Sequence, residues 1–315
     1  MIKNKPLVTL AVITYNSSKY ILNTLNSILG QTYPNIELII SDDCSTDNTP
    51  EIIDNWLLKH SSKFTFAKFI KTPKNIGVSG NCNNAIRAGK GEWIKLLSGD
   101  DQFFPYTIEK YMEFVENNPT VNICFAKFDF FSDNEGNYFR LICKFYEEEF
   151  YSRLKLPLKK QKKEILKALF VPGPGTFFSR NLYDKVNGFD EKYPFCEEDP
   201  FYGRIILEGN RIHFIDKKLY RYNLRHDSLG HEGGVGRHGK DRMRYFFDER
   251  FKNMLKYGLI FPAINEYLSY KSLLSAEKGN YIKSNLYTFL RRISPYMLIR
   301  YIEYRKGKKL EAAFK

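Results

Sequence analysis

The sequence predicts an α/β fold: a mostly parallel central sheet with helices on both faces, followed by a helical C-terminal region. Three observations predict it. Short apolar runs alternate with helix-period segments through the first hundred residues. Three of those runs end in polar clusters, at 14–16, 42–43 and 100–101, and in open parallel sheets this carboxyl edge is where ligands bind. Finally, the 315 residues are more than one ordinary domain needs. Charge divides them unevenly: residues 251–315 hold 13 Lys/Arg against 4 Asp/Glu, a net +9 of the +13 for the whole chain. A sheet domain over 1–235 and a basic helical region over 240–315 are expected.

The elements follow in order. Residues 7–13 form an apolar run suited to a strand buried on both faces. Thr14 to Ser18 is a turn and N-cap cluster opening a helix with Ile21, Leu22, Leu25, Ile28 and Leu29 on one face, closed by Gly30 and Pro34. A second strand at 36–40 runs into Ser41 to Asp47, and a helix starts near Pro50. Residues 64–70 read as a third strand, 79–88 as a helix, and 93–97 as a fourth strand delivering Ser98-Gly-Asp-Asp101. Around Asp133 to Gly136, aromatic and β-branched residues predict a hairpin, and 145–163 a mobile charged loop. Helical spacing returns at 182–208, two strands are expected within 211–222, and the chain is helical beyond about Lys240.

Several classes are excluded. No apolar stretch approaches the roughly 20 residues of a spanning helix. The five cysteines are odd in number and scattered, with no CxxC pair, which suits reduced thiols in the cytoplasm and not a disulfide framework or zinc site. There is no GxGxxG after the first strand, no GxxxxGK[ST] and no GxSxG.

The polar clusters each admit two readings. Asp100-Asp101 is either an N-cap ahead of the helix near Pro105 or a site for a hard divalent cation that keeps positions open for phosphate oxygens. Asp42-Asp43 is either an Asx turn or a carboxylate pair for a nucleoside's N–H and hydroxyl groups. Glu197-Glu198-Asp199 is either an acidic first helical turn or a crowded set containing a general base. His226 is a structural histidine or a metal or phosphate ligand; His231 and His238 lie in a glycine-rich loop.

Read together, these segments resemble inverting glycosyltransferases of family 2, with the Rossmann-like GT-A fold, as found among bacterial enzymes of surface-polysaccharide synthesis. The resemblance covers roughly residues 7–230. It is carried by Val12-Ile-Thr-Tyr-Asn16, Ser41-Asp-Asp-Cys-Ser-Thr-Asp47, Asn75-Ile-Gly-Val-Ser79, Ala88-Gly-Lys-Gly-Glu-Trp-Ile94, Ser98-Gly-Asp-Asp101, Gly188-Phe-Asp190 and Glu198-Asp199. It implies a nucleotide-sugar donor, a UDP-sugar by preference, held by Thr14, Tyr15, Asn16, Asp43, Asn75, Gly77, Asn83 and Asp100. It further implies Mn²⁺ or Mg²⁺ on Asp101 and Asp100, with His226 as a further ligand, and Asp199 as the base. Gly173, Gly175 and Glu198 fall on the acceptor side. Two departures stand out: Cys82 occupies a position where relatives often carry Arg, and the acidic pair is adjacent where relatives flank one residue with two Asp.

The chemistry suits these residue types. Breaking the bond between an anomeric carbon and a diphosphate builds negative charge that a cation stabilises, while one carboxylate takes the proton of the attacking hydroxyl. The expected acceptor is a glycan or lipid-linked glycan. The basic C-terminal helices suit either a bundle packed on the sheet domain or the anionic cytoplasmic face of the inner membrane. Rival readings are a nucleotidyltransferase, which should open with a Gly-rich Arg-containing loop, a catalytically dead sugar-binding relative, and a nucleic-acid binder. Nucleic acid is not expected as a partner, because most of the +13 lies outside the motif-bearing region. Oligomeric state is not legible.

Overall fold

The computed structural model describes residues 5–132, 137–168, 171–224, 236–295 and 297. The chain forms two compact units, Met1–Ile165 with Leu169–Glu232, and Leu166–Ala168 with Gly233–Lys315.

The first unit is built on one eight-stranded sheet. Its strands are β1 (Val8–Thr14), β2 (Ile36–Asp42), β3 (Phe66–Lys71), β4 (Trp93–Ser98), β5 (Gln102–Phe103), β6 (Ile123–Phe131), β7 (Thr176–Ser179) and β8 (His213–Asn223), in the order β3-β2-β1-β4-β7-β6-β8-β5. Pairings among β3, β2, β1 and β4 are parallel, as is β6 with β8; β7 runs antiparallel to both its neighbours and β5 to β8. Every residue of β2 is buried, as expected of a strand covered on both faces. Its helices are α1 (Ile21–Leu29), α2 (Thr49–His60), α3 (Gly77–Ala88), α4 (Thr107–Asn117), α5 (Asn137–Phe145), α6 (Tyr151–Leu154), α7 (Leu158–Ala168), α8 (Arg180–Lys185) and α9 (Glu198–Leu207), α7 running on into the second unit at its last turn. α3 packs on β1 and β2, α2 on β3, and α4 on β8.

The middle of the chain departs from expectation in three places. The turn expected at 133–136 lies outside the described residues, and the flanking segments do not pair as a hairpin: β6 pairs with β7 and β8, and 137–145 form the helix α5. Residues 145–163 are not a loop but a π-helical turn at Tyr146–Phe150 leading into α6 and α7. Tyr146, Phe150, Tyr151 and Leu154 are all buried, so their spacing of four, five and eight is a helical face hidden among charges. Residues 211–222 give one long strand, β8, whose pairing with β6 shifts register around Lys127.

The second unit is helical: α10 (Arg237–Tyr245), a π-helical turn at Phe246–Arg250, α11 (Phe251–Lys256), α12 (Ile260–Glu277) and α13 (Tyr281–Arg292). Arg250, 1% exposed, holds it together by donating to the Leu166 and Lys167 carbonyls and to Glu266 Oε1 at 2.7 Å. Ser272 bonds Ser284 and Thr288, pinning α12 to α13. Among the described residues no helix is long and apolar enough to cross a membrane.

Candidate active site

The carboxyl ends of β1, β2 and β4 meet at one edge. The Asp43 amide donates to the Thr14 carbonyl and the Gly99 amide to the Ile13 carbonyl, both at 2.9 Å. The loop after β1 is laced to the loop after β2: Asn16 takes a left-handed φ of 48°, donates its amide to Ser45 Oγ and accepts from the Thr46 amide at Oδ1. Ser18 donates to Asp47 Oδ2. Asp42 forms the Asx turn, accepting from the Ser45 amide and hydroxyl.

Asp43 turns the other way. Its two carboxylate oxygens accept from the amides of Ile76 at 2.8 Å and Gly77 at 2.9 Å, capping the start of α3. Burial raises its pKa against the lowering effect of these bonds. Gly77 is glycine of necessity: its φ is +83°, and a Cβ there would lie 2.6 Å from Pro194. Asn75 is exposed and donates to the Asp43 carbonyl, and Tyr15 is 43% exposed. This corner therefore presents Tyr15, Asn16 and Asn75 outward over a floor made by Thr14 and Asp43.

The acidic pair after β4 is held from β8. Asp101 is buried, and its carboxylate accepts from the Tyr220 hydroxyl and the Asn223 amide, each at 2.7 Å. Burial and the neighbouring Asp101 raise the Tyr220 pKa, so its phenol stays a proton donor. The N-cap alternative for this pair does not hold: α4 starts at Thr107, has Tyr106 at its N-cap, and takes no side-chain cap bond. Asp100 is half-buried beside it.

The third component is the start of α9. Glu198 and Asp199 form its acidic first turn, Asp199 being buried. Glu198 Oε1 accepts from the Gly173 amide at 2.5 Å, tying α9 to the tight turn Gly173–Gly175. One cleft is lined by Ile13, Cys82, Ser98, Gly173, Pro174, Glu197, Glu198 and Tyr220, so strand ends, turn and helix start face a common space.

Beneath it lies a residue that sequence reasoning passed over. Lys95, in β4, is fully buried; its ammonium donates to the carbonyls of Pro174 and of Thr176, the latter at 3.0 Å. It stands 4.7 Å from the centroid of Tyr220. Burial lowers its pKa from 10.5 to about 7, with the charges of Cys124 and Asp101 pulling the other way. The signal was present: Lys95 is the one charge inside the apolar 93–97 run.

Other assignments change. Asn83 was expected to meet the donor; it is wholly buried and donates to the Phe189 carbonyl and Glu191 Oε1, while its Oδ1 accepts from Tyr183 and the Phe189 amide. It is a structural residue that docks the Gly188-Phe-Asp190 turn onto α3, and Gly188 itself has a φ of +63°. Gly175 does not open toward a ligand: a Cβ on it would lie 2.4 Å from the Phe125 ring, so core packing demands the glycine. Gly173 faces Glu198. The Gly89 and Gly91 pattern is likewise structural, both lying against Thr9. Cys82 is buried, and burial with the charges of Glu197, Glu198 and Asp43 pushes its thiol pKa well up, so this position supplies no cation. His226 lies outside the described residues. Among the described residues no group of three or more His, Cys, Asp or Glu is placed to hold a metal ion.

The chain is similar to several known proteins. A glycosyltransferase of Methanocaldococcus jannaschii is 27% identical over 223 residues, covering 70% of this chain and 72% of that one. The minor teichoic acid biosynthesis protein GgaA of Bacillus subtilis is 24% identical over 273 residues, 81% and 56% of the two chains. In fold, residues 1–349 of S. aureus TarS, solved in complex with UDP-GlcNAc, superpose with a TM-score of 0.59 at 18% identity over 91% of each chain. The mannosyltransferase PcManGT of Pyrobaculum calidifontis, in complex with GDP-Man and Mn²⁺, superposes with a TM-score of 0.60 at 18% identity, over 98% and 81%. The sequence profile of glycosyl transferase family 2 matches residues 9–186, more than half the chain, and the protein belongs to that family.

Proposed function

We propose that the enzyme transfers a sugar, with inversion, from a nucleoside-diphosphate donor to a glycan or lipid-linked glycan in surface-polysaccharide assembly. The observation that carries this reading is that Ser98 at the end of β4, Tyr220, whose hydroxyl bonds Asp101, and Glu197 and Glu198 at the start of α9 line one cleft at the sheet's carboxyl edge. A nucleoside laid over Tyr15, Asn16, Asn75 and Asp43 would direct its diphosphate toward Asp100 and Asp101. Asp199 takes the acceptor hydroxyl's proton as that oxygen bonds to the anomeric carbon, and the bond to the diphosphate breaks on the opposite face. A single base and direct displacement give inversion.

Asp100 and Asp101 would hold a divalent cation. The donor set fits one in kind: two adjacent carboxylates are hard oxygen ligands, the chemistry that Mn²⁺ and Mg²⁺ take. Such an ion, when bound, neutralises charge on the leaving diphosphate. The TarS and PcManGT complexes, with UDP-GlcNAc and with GDP-Man and Mn²⁺, support a nucleotide-sugar donor and metal use. A UDP-sugar is the favoured donor, and the GgaA relative supports a cell-surface polymer as the acceptor. The second unit is proposed to rest on anionic lipid at the cytoplasmic face of the inner membrane, its exposed Tyr281, Ile282, Leu286 and Phe289 adjoining the basic C-terminal stretch. The test is nucleoside diphosphate release from a panel of UDP- and GDP-sugars with Mn²⁺. Release from UDP-sugars supports the reading; no release from any donor overturns it.

A further inference from the structure

Among the described residues, Lys95 sits where three parts of the site converge. Its ammonium donates to the carbonyls of Pro174 and Thr176, and the Tyr111 hydroxyl donates to the intervening Gly175 carbonyl at 2.7 Å. The three successive carbonyls of this turn are therefore all taken by side chains rising from the sheet and α4. On its other side the turn is bolted to α9, through the Gly173 amide on Glu198 and the Thr176 hydroxyl against Tyr202 at 2.8 Å. Toward the acidic pair, the Lys95 ammonium faces the ring of Tyr220, whose hydroxyl holds Asp101. The aromatic rings of Phe103 and Tyr111 complete its surroundings, at 5.6 and 5.5 Å.

A lysine fully withdrawn from water is a costly way to fill a β4 position, since an apolar residue there would bury at a gain. What an apolar residue lacks is a set of donors that reaches two carbonyls of another segment. We propose that Lys95 is a positioning residue for glycosyl transfer: its terminal nitrogen, through N–H bonds to the Pro174 and Thr176 carbonyls, fixes the 173–176 turn, and with it the Glu198-Asp199 start of α9, against the Asp101 carboxylate. The inference rests on the transferase reading above and deepens it, because it says what sets the spacing between the base and the leaving-group end of the site. Lys95 itself touches no substrate in this assignment.

The test uses the full chain and its Lys95→Met and Lys95→Arg variants, at a temperature where circular dichroism shows all three folded. UDP-glucose, UDP-galactose and their N-acetylated counterparts with Mn²⁺ are the probe donors, and 4-nitrophenyl glycosides the probe acceptors. Displacement of a catalytic group by about 1 Å costs on the order of 10²-fold. Lys95→Met is therefore expected to lose about that much kcat while donor KM is unchanged, because the nucleoside corner lies on β1 and β2. Lys95→Arg, which restores charge and donors, is expected to recover part of the loss. A kcat equal to wild type, with only the melting temperature lowered, makes Lys95 purely structural and overturns the proposal; so does a donor KM that rises in step with the fall in kcat. If Lys95→Met does not fold, Lys95→Gln carries the same comparison, and the same results support or overturn the proposal. Absence of wild-type turnover with these donors and with every GDP-sugar of the panel above overturns the transferase reading and this inference with it, whereas an active wild type with unaffected variants overturns this inference alone.

Discussion

Helices α3 and α13 are both twelve residues long, yet eight residues of α3 are buried and none of α13. Large apolar side chains are nonetheless more numerous in α13, which has Tyr281, Ile282, Leu286, Tyr287, Phe289 and Leu290 against Val78 and Ile86 in α3. The buried set of α3 includes Ser79, Asn81, Cys82 and Asn83, whereas α13 exposes Tyr281, Ile282, Leu286, Phe289 and Leu290. The difference teaches where buried polarity is tolerated. Most buried polar groups of α3 have a partner: the helix start bonds Asp43, Ser79 bonds the Tyr193 carbonyl, Asn83 bonds the Phe189 turn, and Asn81 donates to the Thr14 carbonyl, with its Oδ1 left unpartnered. α13 packs on α12 through Ser284 and Thr288 yet leaves these apolar side chains exposed among the described residues.

The comparison can be broken or sharpened at several points. Largest is the chemistry that the α3 side supports. Asp199→Asn is expected to lower turnover by roughly 10²–10⁴-fold while donor KM survives. A collapse of donor binding at unchanged saturated turnover would instead make Asp199 a binding residue. Asp101→Ala is expected to abolish transfer and remove Mn²⁺-dependent stabilisation by UDP in a thermal shift; wild-type transfer that persists unchanged in a chelator would sink metal dependence.

Next comes the structural claim for Asn83. Asn83→Ala leaves two buried groups of the Phe189 turn unpaired and should cost roughly 2–6 kcal/mol in denaturant unfolding, at about 1–3 kcal/mol per unsatisfied group. UDP affinity of the folded variant should not change; a selective loss of UDP affinity at intact stability would return Asn83 to the donor site.

Lys95 gives a pH test. Its folded pKa of about 7 lies below its ordinary 10.5, so between these values the unfolded chain holds a proton the folded chain lacks. Stability from this group therefore rises with pH across that window, and its charging penalty is fully present below about pH 7. Facing it are Asp101, Cys124 on β6, Tyr111 on α4 and Tyr220 on β8. Relative to Lys95→Met, wild type should gain on the order of 1 kcal/mol per pH unit from pH 7 to 9. A pH-independent difference would mean the lysine keeps its proton throughout.

The smallest expected effect on folding is on α13. Ile282 is 85% exposed, so Ile282→Glu should shift stability by no more than about 0.5 kcal/mol. Together with Phe289→Glu it should nonetheless weaken pelleting with anionic liposomes at low salt. Wild type that ignores such liposomes would leave α13 as an interface to another protein surface.

The sequence by itself determined the βα repeats of the first hundred residues, the edge at which polar clusters gather, and the family, because these follow from local periodicity and short ordered motifs. β1, β2, β4 and α1 to α3 fall within a few residues of their sequence limits. The middle was not legible: the aromatic face of 146–154 is interleaved with charges, and only packing against β6 and β8 shows which residues point inward. Tertiary structure also sorted the motifs by job. Asn83 reads as a donor contact, and Gly188, Gly89 and Gly91 as positions in family motifs, but each serves a close backbone approach or a buried bond between segments far apart in the chain. Lys95 showed the opposite. A strand period records which face a side chain takes, not what waits there, and only the folded chain brings the carbonyls of 174 and 176 to its ammonium.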